Sequence, residues 1–370
     1  MKVQILQENF SKALSVASRF ASSKAQLPVL GNIYLSAQKN RLQIISTNLE
    51  ISVATSIGAQ VEKPGEITVP ARVISELVSN LNPGALRIEA EKEQLKITSA
   101  NFSSSISGMN ASDFPEVPKA LGREVLPLPK EELLKAISQV AFSASIDETR
   151  PILTGVLFIF KKGGVVLVST DGFRLSQKKL GLKGFEKEKK VILPRSVLSE
   201  VARLAEEENL SFSFENEGNQ VIFGLGDTIL SSRTLEGEFP DFERIIPKAS
   251  VIKVALDKED LLRSVKLASV FARDSANIVN FGVKKNSVTV SAESQLAGSQ
   301  ESEIEARVEG GAPAVGFEIA FNYRFLEEFL HAAYGEEVNI ALSNASAPAV
   351  FTDPSDNDFL HLIMPVRIQG

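Results

Sequence analysis

Cysteine is absent from this chain of 370 residues, which excludes disulfides and thiolate metal centres and suits a reducing compartment. Histidine is nearly absent: His331 and His361 are the only two, and neither stands in a metal-ligand spacing such as His-Glu-x-x-His. No apolar run approaches the roughly 18 residues of a membrane span, and the start MKVQILQENF has no apolar signal region. A cytoplasmic chain without membrane contact is therefore expected. A P-loop is missing, as is a Gly-x-Gly-x-x-Gly turn after a strand. Gly224-Leu225-Gly226-Asp227 reads as a hairpin turn, and Thr170-Asp171-Gly172 is explained as well by a turn at a strand end as by a carboxylate site. Catalysis is left without a candidate residue, and neither a cofactor nor a metal ion is expected.

An excess of positive charge is missing too. The chain carries 40 Lys and Arg against 46 Asp and Glu, a net charge of −6, whereas a simple nucleic-acid-binding domain is usually strongly basic. Residues 1–122 hold 12 basic and 10 acidic side chains, residues 123–250 hold 18 and 19, and residues 251–370 hold 10 and 17. Such a gradient suits either specialised surfaces or plain solubility. With 44% apolar and 23% charged residues, the composition is otherwise that of an ordinary globular protein.

What is present is one plan written three times, starting at Val3, Val125 and Val251. Each copy opens with a short strand and an amphipathic helix: VQILQENFSKALSVASRF, VLPLPKEELLKAISQVAF and VIKVALDKEDLLRSVKLASVF. A strand hairpin follows: GNIYLSAQKNRLQIISTN, TGVLFIFKKGGVVLVSTD and NIVNFGVKKNSVTVSAES. A strand then runs into a second helix: ITVPARVISELVSNL, VILPRSVLSEVARLA and FEIAFNYRFLEEFLHAA. More strands close each copy, the first two ending in Ser112-Asp113-Phe114-Pro115 and Gly237-Glu238-Phe239-Pro240. The period is domain-sized, well beyond the roughly 20–50 residues of solenoid repeats. A single core stops growing near about 250–300 residues, so a division into 1–122, 123–250 and 251–370 is expected, after the loops NASDFPEVPKALG and FPDFERIIPKAS. Two helices packed on antiparallel sheet in each copy make the fold class α+β.

In the first helix, Phe10, Leu14, Ala17 and Ala21 recur at helical spacing and are expected to face the core, leaving Lys12 and Arg19 on another face. The third copy repeats this with Leu261, Val265, Ala268 and Ala272 inward and Arg263, Lys266 and Arg273 outward. The second helices begin near Pro70, Pro194 and Asn322 and carry Arg72, Arg195, Arg203 and Arg324 outward. Basic residues on a helix are ordinarily just solvated. Their recurrence on equivalent helices of an acidic chain singles these out.

The ordered set TVPAR (68–72), LPVLGN (27–32), VSTDGFRL (168–175), EFPDFERIIP (238–247) and HLIMPVRI (361–368), on a threefold plan, resembles the bacterial DNA polymerase III beta subunits, the sliding-clamp family. The resemblance covers essentially the whole chain. It implies three clamp domains, a head-to-tail homodimer closed into a ring of six domains, and a non-catalytic processivity role. Such a ring encircles double-stranded DNA regardless of sequence and tethers the replicative polymerase alpha subunit, the clamp loader, and other polymerases and repair proteins through a short peptide.

Helix geometry agrees with a dimer. Two helices per copy, each about 10 Å wide, give six helices a circumference of roughly 60 Å and about 9 Å of free bore. The two groove depths of B-DNA already total roughly 16 Å. Six copies from two chains leave about 28 Å, enough for a duplex. Binding is then topological, and a weakly basic lumen suffices within an acidic protein.

The resemblance places Lys24, Arg72, Arg150 and Arg195 near DNA, and helix phase adds Lys12, Arg19, Arg263, Lys266 and Arg273. Ser196 stands where the family often has a basic residue, and Pro151-Ile152 replaces a common aromatic pair, which removes base stacking at that loop. The family's peptide groove, between the second and third domains, matches Leu153, Thr170, Gly172, Phe173, Arg174, Leu175, Pro240, Arg244, Ile245, Pro348, Leu362, Ile363, Met364, Pro365, Val366 and Arg367. Aliphatic side chains and a polarizable Met suit a cleft, with Arg174 and Arg244 expected on its rim. Phe173 stands where the family more often has His or Tyr, a more apolar rim. For the dimer seam the resemblance points to Ile106 facing Phe271 and Ala272. Read without the resemblance, Leu362-Ile363-Met364 is equally a last core strand, and a monomeric protein-interaction scaffold that never encircles DNA remains the alternative.

Overall fold

The computed structural model describes residues 1–22, 27–182, 188–205, 209–215, 219–310 and 317–367. The first repeat runs β1 (Lys2–Leu6), α1 (Gln7–Ala17), β2 (Asn32–Gln38), β3 (Arg41–Thr47), β4 (Ile51–Gly58), β5 (Gln60–Lys63), β6 (Gly65–Pro70), α2 (Ala71–Ser79), β7 (Ala85–Glu91), β8 (Gln94–Ser99) and β9 (Phe102–Ser107). The second runs β10 (Val125–Pro127), α3 (Lys130–Val140), β11 (Gly155–Lys161), β12 (Gly164–Thr170), β13 (Arg174–Gly181), β14 (Lys189–Pro194), α4 (Arg195–Leu204), β15 (Leu210–Glu215), β16 (Gln220–Leu225) and β17 (Thr228–Arg233). The third runs β18 (Ile252–Asp257), α5 (Lys258–Ala272), β19 (Ile278–Val283), β20 (Ser287–Ser294), β21 (Gly298–Gly310), β22 (Phe317–Asn322), α6 (Tyr323–Ala332), β23 (Glu337–Leu342), β24 (Ala349–Asp353) and β25 (Asp356–Ile363).

The chain forms two compact units that do not follow the repeats: residues 1–130 with 199–234, and residues 131–198 with 235–370. The reason is strand pairing. In the first unit an eight-stranded sheet runs β10-β15-β16-β17-β4-β3-β2-β6, so β17 of the second repeat is zipped to β4 of the first. Thr228 pairs with Thr55 and Ser231 with Ser52, whose hydroxyls lie 2.6 Å apart. A five-stranded sheet, β5-β1-β7-β8-β9, completes this unit. Phe10, Leu14 and Ala17 of α1 are buried as the spacing requires. Ala21 is not on the helix. The α-helix stops at Ala17, Ser18–Phe20 is a 3₁₀ turn, and its three-residue period carries Phe20 into the core instead. The hydroxyl of Ser46 donates to the Ala17 carbonyl at 2.5 Å, satisfying an acceptor that the helix end leaves open.

In the second unit one twelve-stranded order runs β14-β11-β12-β13-β25-β24-β23-β18-β21-β20-β19-β22, with β13 of the second repeat paired to β25 of the third. Helix α5 is capped by Asp257, whose carboxylate accepts from the Asp260 N–H at 2.9 Å. In α6, Asn322 does the same for Arg324 at 3.0 Å. Beneath these helices Phe281, Phe321, Phe351, Phe329 and Phe359 form a chain of ring contacts, with centroids 5.4–5.8 Å apart.

The β13–β25 junction carries buried charge. Asp356 accepts from Lys178, from Lys135 of α3 at 2.9 Å and from the Gln139 amide at 3.0 Å. Burial pushes its carboxyl up, but hydrogen bonds from Lys178, Gln139 and Lys135 outweigh burial and hold the pKa at about 2, below the ordinary 3.8. A depressed carboxylate pKa stabilises the fold above the unfolded value and loses that contribution as pH falls through the folded one. Urea titrations should thus show Asp356→Asn erasing part of the stability lost between about pH 4 and pH 2. Asp356→Ala, which strands Lys178, should cost about 3–5 kcal/mol at pH 7. A loss near zero would mean that Lys178 and Lys135 are solvated in solution.

Candidate interaction sites

The residues matched to a peptide groove lie in the second unit, around the start of β13 and the end of β25. The turn between β12 and β13 is built by two side chains. The Thr170 hydroxyl accepts from the Gly172 N–H at 3.0 Å and donates to the Arg174 carbonyl at 2.6 Å. Asp171 accepts from the backbone N–H groups of Phe173 and Arg174 at 2.9 and 3.1 Å. Gly172 supplies the left-handed backbone the turn requires, at φ +93°. The turn holds Phe173 outward, 59% exposed, and its carbonyl accepts from the Met364 N–H at 2.8 Å. Phe173, Met364 and Ile245 are exposed apolar side chains, and Leu175 and Leu362 beneath them belong to a core cluster with Leu157, Val168 and Phe242. Pro240 and Arg367 are exposed, and Leu153, Pro348, Pro365 and Val366 are half-buried.

Two expectations change. Arg174 is not on a rim. It is 9% exposed, pairs with Asp171 at 3.0 Å and with Glu328, donates to the Phe142 carbonyl at 2.7 Å and stacks over Phe325 at 4.4 Å. With its charge committed on all sides, it positions the turn rather than offering a cation. Ile363 does not face the same side as Leu362. Neighbouring strand residues point to opposite faces, and Ile363 is packed in the core of the third repeat. Arg244, by contrast, is 85% exposed and pairs with Asp241 at 2.6 Å.

His361, one residue before this stretch, was not marked out by the sequence. It is wholly buried, 5.5 Å from the Phe329 ring and nearly parallel to it, and its Nδ1 shares a hydrogen bond with Ser176 at 2.8 Å. Burial, with the charge of Arg174 adding, holds its pKa well below the ordinary value. A neutral buried ring linked to a serine pair (Ser176 to Ser143, 2.8 Å) is a structural device.

The basic residues divide. Lys12 is exposed on α1 and Lys266 on α5, with Arg273 exposed at the α5 C-cap. Arg72 is exposed but bonded to Glu76 at 2.8 Å, and Arg263 to Asp260 at 3.0 Å. Arg19 lies in the 3₁₀ turn and pairs with Glu200 at 3.0 Å, and Arg195, the first residue of α4, is half-buried. Lys24 lies outside the described residues. Arg150 sits with the groove residues: its guanidinium donates to the Asp171 carbonyl at 3.3 Å and pairs with Asp147 at 3.2 Å.

Of the three seam residues, Ile106 and Ala272 are buried in their own units, and Phe271 is half-buried against the third-repeat core. Ala272 continues the inward stripe of Leu261, Val265 and Ala268. The exposed apolar residues at this end of α5 are Leu267 and Val270, the latter 57% exposed, and helix phase alone would have found them.

Tandem repeats of two helices on antiparallel sheet, joined edge to edge by their strands, define a clamp-type architecture. Comparison with known proteins assigns the family. Models of the N-terminal, central and C-terminal domains of the DNA polymerase III beta subunit match residues 1–118, 127–241 and 243–367. The beta sliding clamp of Synechocystis sp. is 31% identical over the whole of both chains, and that of Staphylococcus epidermidis is 27% identical over 99% of each. Among solved structures, the DNA polymerase sliding clamp of Bacillus subtilis superposes with a TM-score of 0.94 at 26% identity, and the DNA polymerase III subunit beta of Pseudomonas aeruginosa with 0.93 at 25%, each covering both chains entirely. The chain belongs to the DNA polymerase III beta subunit family, the beta sliding clamps.

If the surface around Phe173 and Met364 takes an apolar-ended peptide, calorimetry with such a peptide should show Met364→Ala and Arg244→Ala each weakening binding about tenfold, roughly the effect of one buried apolar or charged contact. The dimer mass should not change. Unchanged affinity in either variant removes that residue from the site.

Proposed function

We propose that two copies of this chain close head to tail into a ring that encircles double-stranded DNA without reading its sequence. The ring slides along the duplex and tethers the replicative polymerase alpha subunit, the clamp loader, and other polymerases and repair proteins by their clamp-binding peptides. Residues 1–122, 123–250 and 251–370 are its three clamp domains. The peptides dock against Phe173, Met364 and Ile245, above Leu175 and Leu362, with Arg244 at the edge. Lys12, Lys266, Arg72, Arg263 and Arg273 contribute the basic lumen.

One observation carries the ring: the repeats join by a single rule, and that rule leaves two strand edges over. The fourth strand of one repeat pairs with the last strand of the next, β4 with β17 and β13 with β25. Among the described residues, the Gly298–Glu305 half of β21 is paired on one side only, with β20, and β9 ends its sheet. These are the fourth strand of the last repeat and the last strand of the first. Unpaired edges invite pairing, and joining β21 to β9 of a second copy extends the rule until the ring closes.

The rule also supplies a register. Ser52, Leu175 and Ser299 are equivalent, facing Thr47, Thr170 and Glu293 across their hairpins. Ser52 pairs with Ser231 and Leu175 with Leu362. Hairpin position makes Ser105 the counterpart of Ser231, since Ser99 faces Phe102 as Leu225 faces Thr228. Ser299 therefore meets Ser105 of the second copy. Gln300, the next residue of β21, then meets Ser104, and its Oε1 is a buried acceptor without a donor among the described residues, which supports this pairing. Leu267, Val270 and Phe271 replace Ala272 as the apolar part of the seam.

The chain's lack of cysteine makes the test direct. The Ser105→Cys, Ser299→Cys double variant should oxidise to covalently closed rings, because directly paired strand residues lie within disulfide reach, about 4.4–6.8 Å between Cα atoms. Once loaded on nicked circular DNA, these rings should stay bound through high salt and slide off when the circle is cut. Failure to crosslink overturns the register, and retention on cut DNA overturns topological binding.

A further inference from the structure

Ile146 has no place in a core: its side chain is 88% exposed. A single exposed apolar residue is ordinary on a protein surface. What sets this one apart is the loop that carries it. Residues 144–150 run between two 3₁₀ turns, Ala141–Ser143 and Pro151–Thr154. The Ser145 N–H donates to the Leu153 carbonyl at 2.8 Å, and the Ser145 hydroxyl accepts from the Asp147 N–H at 3.0 Å. The Asp147 carboxylate accepts from the Thr149 N–H at 3.0 Å and from the Thr149 hydroxyl at 2.7 Å, and it pairs with Arg150 at 3.2 Å. Ile146 is therefore held out into solvent by a loop whose backbone is bonded on both sides of it. The other isoleucine of this stretch, Ile152, packs against the cluster of Leu157, Leu175 and Leu362 beneath the groove.

The loop is continuous with the groove. Leu153, bonded to Ser145, is one of the groove residues, and the Arg150 guanidinium donates at 3.3 Å to the carbonyl of Asp171, in the turn that presents Phe173. We propose that Ile146 and Glu148 extend the peptide groove, binding an apolar side chain next to a lysine or arginine in the stretch of a partner protein that flanks its clamp-binding peptide. Charge selects this occupant. Asp147 and Glu148 follow Ile146 directly, and Glu148 is exposed and has no partner among the described residues. The one cation of the loop, Arg150, is engaged by Asp147 and by the Asp171 carbonyl. A nucleic-acid backbone would meet two carboxylates here, whereas a basic peptide meets complementary charge. A β-branched side chain on a fixed loop also loses little freedom when a partner covers it. The extension rests on the groove reading, and it adds a second apolar contact to the one at Phe173 and Met364.

Calorimetry on the full-length protein tests this with the apolar-ended peptide that probes Met364 and Arg244, alone or extended at either end by Leu-Lys on a Gly-Ser spacer. Because Ser145 is bonded directly to Leu153, a spacer of about six residues, spanning roughly 12–15 Å, reaches Ile146 from the groove. One of the two extended peptides should bind about fivefold tighter than the unextended one, the gain from one further apolar contact. Ile146→Ser should abolish that gain. Glu148→Lys, or Leu-Glu in place of Leu-Lys, should remove about half of it or more. Neither variant should change the affinity for the unextended peptide, and both positions are exposed, so melting curves should match the parent. The proposal alone is overturned if the unextended peptide binds but neither extension gains, if the gain survives Ile146→Ser, or if Leu-Glu gains as much as Leu-Lys. A loss of affinity for short duplex DNA in Ile146→Ser makes nucleic acid the occupant and overturns it too. If the unextended peptide does not bind the parent, the groove reading falls and the extension falls with it.

Discussion

Everything in this chain depends on antiparallel pairing between the fourth strand of one repeat and the last strand of the next. A sheet edge is a row of unsatisfied donors and acceptors, and it is quiet only when paired or protected. Here β4 and β13 are paired by strands of the following repeat, so the cores of three similar units are sewn into two compact bodies that cut across the second repeat. Among the described residues the same rule leaves β9 and half of β21 unmatched, and it is this remainder that argues for a second copy. Function follows from closure: a ring holds DNA by topology, so the chain can be acidic overall and still work on a polyanion.

Much of this was legible in the sequence because the repeat is strong. Two helices and a set of alternating strands per copy, the inward faces of α1 and α5, and the order of motifs across 370 residues all follow from spacing and composition. Other features were not legible, for physical reasons. Nothing in the spacing of Arg174 and Glu328, 154 residues apart, announces that they meet, so a buried positioning arginine read as a rim cation. Leu362 and Ile363 are both apolar, and only strand register tells which faces the groove and which the core of the third repeat. The end of α1 is a matter of local geometry: a 3₁₀ turn of three residues moved the core position from Ala21 to Phe20.

The departures from threefold symmetry carry as much information as the symmetry. The turn at 170–174 has in Asp171 a carboxylate that accepts from two backbone N–H groups and from Arg174, and so presents Phe173 beside Met364. One junction between repeats buries Asp356 among Lys178, Lys135 and Gln139.

The central claim is that the leftover edges β9 and β21 belong together, in two copies of one chain. Light scattering on the unmodified protein at micromolar concentration measures this directly. The account predicts a particle of twice 40.1 kDa, reduced to the single-chain mass when a proline at Ser105 removes a donor from the β9 edge. A particle of 40.1 kDa before any substitution would contradict it.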